Sequence, residues 1–271
     1  MKSALLAAAL AAAPLAGFAG SMDQAATEAA VAIPAPYAAP RPALIFKLRG
    51  GVGAAPEYFG AKDLKAGPDF SFSLEYLRLP GGRALGSTDP NAESYGFVPR
   101  GSFRYIGKRS AKDSPELTGL NDVKAAAEIG LGLGYNQRYF EAFADVRYGV
   151  IGHHAWVGEL GANAVLHPTE QLTVRFGPRL FGGSHKYANT YFGVTAAPGS
   201  TFAAHKAKGG AISAGLELGM TYAIDDKWGV DGAVRWDKYL GDAKSSPIVA
   251  QGKDNNLSLR IGVTRRFSVN F

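Results

Sequence analysis

The sequence predicts an all-β protein, a transmembrane antiparallel β-barrel of about ten strands, or twelve if one long connection hides a short pair. Three observations predict it. Alternation of apolar and polar residues recurs in ten segments, each long enough to cross a bilayer as a tilted strand. The connections between them are short and long by turns, as bacterial barrels arrange their two rims. A secretory leader opens the chain. The composition agrees: glycine stands at 35 residues, aromatics make up 11% and charged residues only 19%, a mixture suited to twisted sheet. Beyond the leader, no stretch approaches the about twenty apolar residues of a helical span.

Taken in order, Lys2, the apolar run 4–16 and the small residues Gly17 and Ala19 mark 1–19 as a signal peptide. Residues 20–43, rich in Ala and Pro, read as an extended periplasmic lead-in, and 44–271 as the barrel. Strands are expected near 44–53, 69–79, 96–106, 123–135, 139–150, 156–167, 171–181, 210–223, 228–240 and 256–271. Short periplasmic turns fall at 136–138, 168–170 and 224–227, and outer loops at 54–68, 107–122, 151–155, 182–209 and 241–255. Two connections fit poorly, the short loop 151–155 and the long periplasmic link 80–95, which is where a further strand pair would hide.

Successive side chains of a strand point to opposite faces, so each segment shows a greasy and a polar parity. Ile129, Leu131 and Leu133 oppose Glu128; Phe140 and Val146 oppose Asp145 and Arg147; Leu172, Val174 and Phe176 oppose Arg175 and Arg179. Ile212, Leu216 and Leu218 oppose Glu217, and Val234 opposes Asp231 and Arg235. In the last segment Leu257, Leu259, Ile261, Val263, Phe267 and Val269 oppose Arg260, and the chain ends on Phe271, expected to be the signal for the barrel-assembly machinery. A Lys or Arg facing lipid at the bilayer midplane costs about 2–4 kcal/mol. These charges, with Arg104 of the segment 96–106, are therefore expected to face the lumen, leaving the greasy parity to outer-membrane lipid. Tyr105, Tyr135, Tyr139, Tyr148, Trp156, Tyr222, Trp228 and Trp236 fall near strand ends, where aromatic girdles sit.

The inner face carries both signs of charge. It suits first a cross-lumen network that fills the barrel, and second a narrow polar passage for small solutes. Catalytic chemistry finds little support. Gly130, Gly132 and Gly134 alternate inside a strand with no helix to follow, which is not a phosphate cradle. Ser184-His185 has no nucleophile elbow around it. His153-His154 lies in a short loop, where adjacent histidines are expected to be solvated rather than metal ligands. There is no cysteine, and the formal charge of +6 is spread singly rather than gathered into a nucleic-acid footprint. No catalytic residue, cofactor or metal is expected.

The connections carry further signals. Pro56-Glu57-Tyr58-Phe59-Gly60 follows the first strand, with Gly67-Pro68 soon after, and Gly119-Leu120-Asn121-Asp122-Val123 leads into the fourth. Tyr191-Phe192-Gly193-Val194 lies in the largest loop, and Ser245-Ser246-Pro247-Ile248-Val249 precedes the last strand. In order and spacing these segments resemble those of the MipA/OmpV family of Gram-negative outer-membrane proteins, from about residue 48 to Phe271. The His153-His154 pair departs from that pattern, which favours a glycine-rich stretch there. The resemblance implies a barrel in the cell outer membrane and no catalytic residues. It also implies a scaffold joining a lytic murein transglycosylase to a murein synthase, or else a porin-like protein. The apolar loop residues Tyr58, Tyr191, Phe192 and Pro247 are expected to fold back onto the barrel mouth.

Overall fold

The structure, a computed structural model, describes residues 42–81, 83–88, 95–195 and 202–270. The expected signal peptide, nearly all of the lead-in and Phe271 lie outside the described residues. In chain order the strands are β1 (Leu44–Pro56), β2 (Leu64–Arg78), β3 (Ala84–Gly86), β4 (Gly96–Ile106), β5 (Ala126–Gln137) and β6 (Phe140–Ile151). Then come β7 (Trp156–Leu166), β8 (Leu172–Gly183), β9 (Gly210–Ala223), β10 (Trp228–Tyr239) and β11 (Asn255–Val269). Sequential strands pair antiparallel throughout, except β3 with β4. The first strand also pairs with the last, Leu44 opposite Val269 and Ala54 opposite Leu259. The sheet thus curls into a barrel, with a seam where β2 and β4 run within contact distance but form no ladder.

The strand count among the described residues is 11, neither ten nor twelve. Among its described residues, the link 80–95 returns once. Leu79 N–H donates to the Arg83 carbonyl at 2.7 Å across a tight turn, and three residues, Ala84 to Gly86, pair with β2. A second correction concerns Gly67 and Pro68, expected in a loop. Both lie in β2, Gly67 opposite Gly53 and Pro68 opposite Val52. The run of small residues Gly51, Gly53, Ala54 and Ala55 hides the alternation there, but the ladder continues to Pro56. Pro68, and Pro99 on β4, stand on the two seam strands, where a residue without an N–H is tolerated and discourages further pairing.

The faces are inverted relative to a soluble protein. Leu131 is 76% exposed and Phe97 73%, whereas Glu128 is 0% and Arg147 3% exposed. Ile129, Leu133, Phe140, Val146, Phe176, Leu216, Leu218 and Val234 also lie on the exposed outer surface. An apolar band this continuous is stable only against lipid. Tyr105, Trp156 and Trp236 are exposed near one end of the barrel, and Tyr135, Tyr139, Tyr222 and Trp228 near the other, forming two girdles. Ile212, expected on the lipid face, points inward and is buried. The cause is a β-bulge: Phe181 lies opposite Ser213 and Gly182 opposite Ala211, so Ile212 is the extra residue and the parity flips. Pro178 in β8 lacks an N–H, and the β7–β8 ladder breaks between Gly161 and Ala164. Arg179 Nη1 donates to the Ala162 carbonyl at that break, at 3.2 Å.

One end of the barrel has the short turns 138–139, 167–171 and 224–227. The other carries the segments 57–63, 107–125, 152–155, 184–209 and 240–254, with helices α1 (His185–Phe192), α2 (Gly241–Lys244) and α3 (Pro247–Ala250) and a 3₁₀ turn at Pro115–Leu117.

Candidate functional site

Inward positions of neighbouring strands stack side by side, so the lumen collects charge. Arg147 of β6 donates to Glu128 of β5 at 3.0 Å and to Glu159 of β7 at 3.1 Å. Glu159 also holds Arg235 of β10, which in turn binds Asp237 through two bonds of 2.7 and 3.1 Å. Strands β7 and β10 are not neighbours, so this chain of pairs crosses the bore. Glu217 of β9 accepts from Arg179 of β8 at 3.3 Å and Arg260 of β11 at 3.1 Å. Arg49 of β1 joins Asp69 of β2 to Asp231 of β10, the latter at 3.0 Å. Arg175 of β8 reaches Glu141 of β6 at 3.3 Å. Arg100 of β4 reaches Asp145 of β6 at 3.4 Å, over the intervening β5. Glycine at position 132 permits this, because a β-carbon there would strike the Asp145 carboxylate. Of the ten charges expected in the lumen, only Arg104 has no ion pair among the described residues. Its guanidinium lies instead over Phe181 and Phe59, 4.5 and 5.7 Å from the ring centroids.

Above this charged layer the loop-end segments form a stopper. Helix α1 buries Tyr187, Ala188, Tyr191 and Phe192 on one face. Eight residues are too few to hold a helix alone, so packing holds it. Phe59 enters this cluster, 5.0 Å from the Tyr191 ring and 5.5 Å from that of Phe192. Gly60 follows with φ +97°, and a β-carbon there would come within 2.9 Å of Val249 Cα, so glycine answers both constraints. Ser246 caps α3 by accepting from Ile248 N–H, and Pro247 fills the first helical position. The Ser246 hydroxyl also donates to the Phe192 carbonyl at 2.7 Å. The Gly193 N–H closes α1 on the Asn189 carbonyl. Tyr58 donates to Glu116 at 3.0 Å, and burial with that acceptor pushes its phenol up to about 12. Segments that are distant in sequence therefore meet: Tyr58 and Gly60, Tyr191 to Gly193, and Ser246-Pro247. Pro56 ends β1 just below them, while Gly67 and Pro68 lie in the wall.

Some stopper contacts could not be read from the sequence. Arg109 donates to the Tyr191 carbonyl at 2.8 Å. Asp242 accepts from Lys208 N–H at 2.9 Å. His153, expected in solvent, is buried: Ala155 N–H donates to Nδ1 at 3.1 Å, and Nε2 faces Glu128 at 3.2 Å. This pattern assigns the proton to Nε2 and occupies both ring nitrogens, so neither is open to a metal. The ring also packs on Tyr187, 5.1 Å between centroids, tying wall to stopper. The loop is tight enough to need Gly152 at φ +88° and His154 at φ 48°. The Ser184 hydroxyl bonds no partner among the described residues, and the His185 beside it is exposed. Between stopper and charged layer lies a cavity of about 270 Å³, lined by Phe59, Arg104, Phe181, Tyr187, Tyr191 and Arg235 among others.

An antiparallel barrel with a lipid-facing exterior, two aromatic girdles and a lumen of paired charges defines the class: a β-barrel of the outer-membrane type. Within that class, the family model for MltA-interacting protein MipA matches residues 48–267, and the chain belongs to this family. Among solved structures it is similar to outer membrane protein OprG from Pseudomonas aeruginosa, at 14% identity and TM-score 0.28, over 84% of this chain and 98% of that one. It is also similar to an outer membrane channel from Pseudomonas putida F1, at 12% identity and TM-score 0.42, over 86% and 99% of the two chains. The attachment invasion locus protein Ail of Yersinia pestis matches at 9% identity and TM-score 0.30, over 83% and 99%. No curated protein sequence matches the chain.

Proposed function

We propose that this protein is a non-enzymatic barrel of the outer membrane that works through its rims, as an anchoring scaffold for murein-hydrolysing and murein-synthesising enzymes. The observation that carries this reading is the occupied bore. Ion pairs cross the lumen from β7 to β10, and five segments pack into a stopper above them. A barrel filled in this way offers partners a rigid platform rather than a path. The family's description as MltA-interacting supports a murein-acting partner. In bacterial barrels the short-turn end faces the periplasm, where murein lies, so that rim is the proposed contact. A narrow porin-like channel is the second reading, favoured by the cavity beneath the stopper, which leaves part of the bore unfilled.

Planar-bilayer recording and binding in nanodiscs separate the two. The scaffold reading expects no steady current from the folded wild type, and saturable binding to a lytic transglycosylase of the MltA kind. Steady current that changes in the Arg235→Ala, Arg260→Ala double variant would overturn it in favour of the channel. Absence of transglycosylase binding at micromolar concentrations would overturn the scaffold role itself.

A further inference from the structure

The cavity beneath the stopper has the chemistry of a ligand site. Its arginines are unequally matched. Arg235 is held by Glu159 and Asp237, and the nearby Glu57 is held by Lys65. Arg104 and Arg109 also line the cavity, and neither has a carboxylate within ion-pair distance among the described residues, although Glu128 and Glu159 stand near enough to Arg104 to act on its charge. Arg109 is more than nine-tenths buried and its Nε makes no hydrogen bond. The same holds for the hydroxyl of Tyr191, which is 3% exposed, and the Asn256 Oδ1 in the cavity wall is likewise unsatisfied. The Tyr187 hydroxyl leans toward Arg104 and that of Tyr239 toward the Gly60 backbone, but neither forms a bond of normal length and angle. Buried polar groups without partners are uncommon in proteins, because each forfeits its bond to water.

The remaining walls are aromatic. Phe181 and Phe59 already stack under the Arg104 guanidinium, and Ile212 closes the side. A volume of about 270 Å³ lies just below the range of drug-sized pockets and suits one ring with a short polar group. We propose that this cavity binds a small aromatic carboxylate. The carboxylate accepts from Arg104 and Arg109, the ring lies among Phe59, Phe181 and the tyrosines, and the Tyr191 hydroxyl takes a polar group on the ligand. The unmatched donors select an acceptor, and the ring walls select an aromatic body. The site is independent of the scaffold reading, since it lies at the loop end of the barrel and not at the short-turn rim proposed for the partner.

The test is calorimetric titration of the folded protein in detergent with benzoate, 4-hydroxybenzoate and phenylacetate, using benzamide as the neutral isostere. Saturable binding of at least one carboxylate is expected, with benzamide weaker by about tenfold or more, the worth of a charge-assisted hydrogen bond. Arg104→Gln is expected to lower affinity by about tenfold or more. Tyr191→Phe removes an oxygen that bonds nothing in the free protein, so it is expected to weaken binding several-fold while leaving the unfolding temperature unchanged or raised. No saturable binding of any of the three acids by heat-modifiable wild type would overturn the proposal, as would unchanged affinity in folded Arg104→Gln. If Arg104→Gln does not fold, Tyr191→Phe decides: unchanged affinity there overturns it equally.

Discussion

Arg147 is a buried node of the lumen network, bonding Glu128, Glu159 and Ser102 while 3% exposed. Arg147→Met keeps much of the volume but leaves two buried carboxylates without that cation. It is expected to cost about 3–5 kcal/mol, read as a lower urea midpoint in lipid vesicles. Adding Glu128→Gln should recover part of the loss. Tyr58 permits a test by pH. Burial and Glu116 raise its phenol from 10.0 to about 12, so the neutral hydroxyl is the form the fold favours. Its contribution is complete below pH about 10 and is lost as pH climbs through about 12. An ultraviolet difference titration against Tyr58→Phe should show one tyrosine ionising late. At this scale the lumen charges were legible, because lipid leaves a charged side chain one affordable direction. His153 was not, since a histidine in a short loop looks the same in sequence whether it meets water or Glu128.

The elements were legible for the same reason. Every long strand announces itself by alternation, and the errors fall where one residue breaks the period. The bulge at Ile212 flips parity with no change in composition, and the run of small residues before Pro56 silences the signal without ending the ladder. The stopper shows the opposite case. Its segments were recognisable as motifs, but their meeting point depends on contacts between residues far apart, such as Ser246 with the Phe192 carbonyl. Ser246→Ala removes both that bond and the cap on Ile248 N–H, and is expected to cost about 2 kcal/mol. The loss should appear first as faster hydrogen exchange in α1 and α3, with the strands unaffected.

For the whole barrel, closure by the stopper makes a functional expectation. Replacing α1 and its following loop, residues 185–208, with a short Gly-Ser linker removes the largest stopper segment while leaving β8 and β9 able to pair. Planar-bilayer recording should then show current where the wild type is silent; equal silence would mean that the charged layer alone blocks the bore. The ladder has a further consequence for connectivity. Ala43 N–H bonds the Val269 carbonyl at 2.9 Å, so the two ends of the barrel lie side by side, whereas the break in pairing falls between β3 and β4. Circular permutation should therefore be tolerated. A chain that starts at β4, runs through β11, crosses a short linker into β1 and finishes at β3 would have every strand beside its neighbour in sequence, with its new termini at the seam.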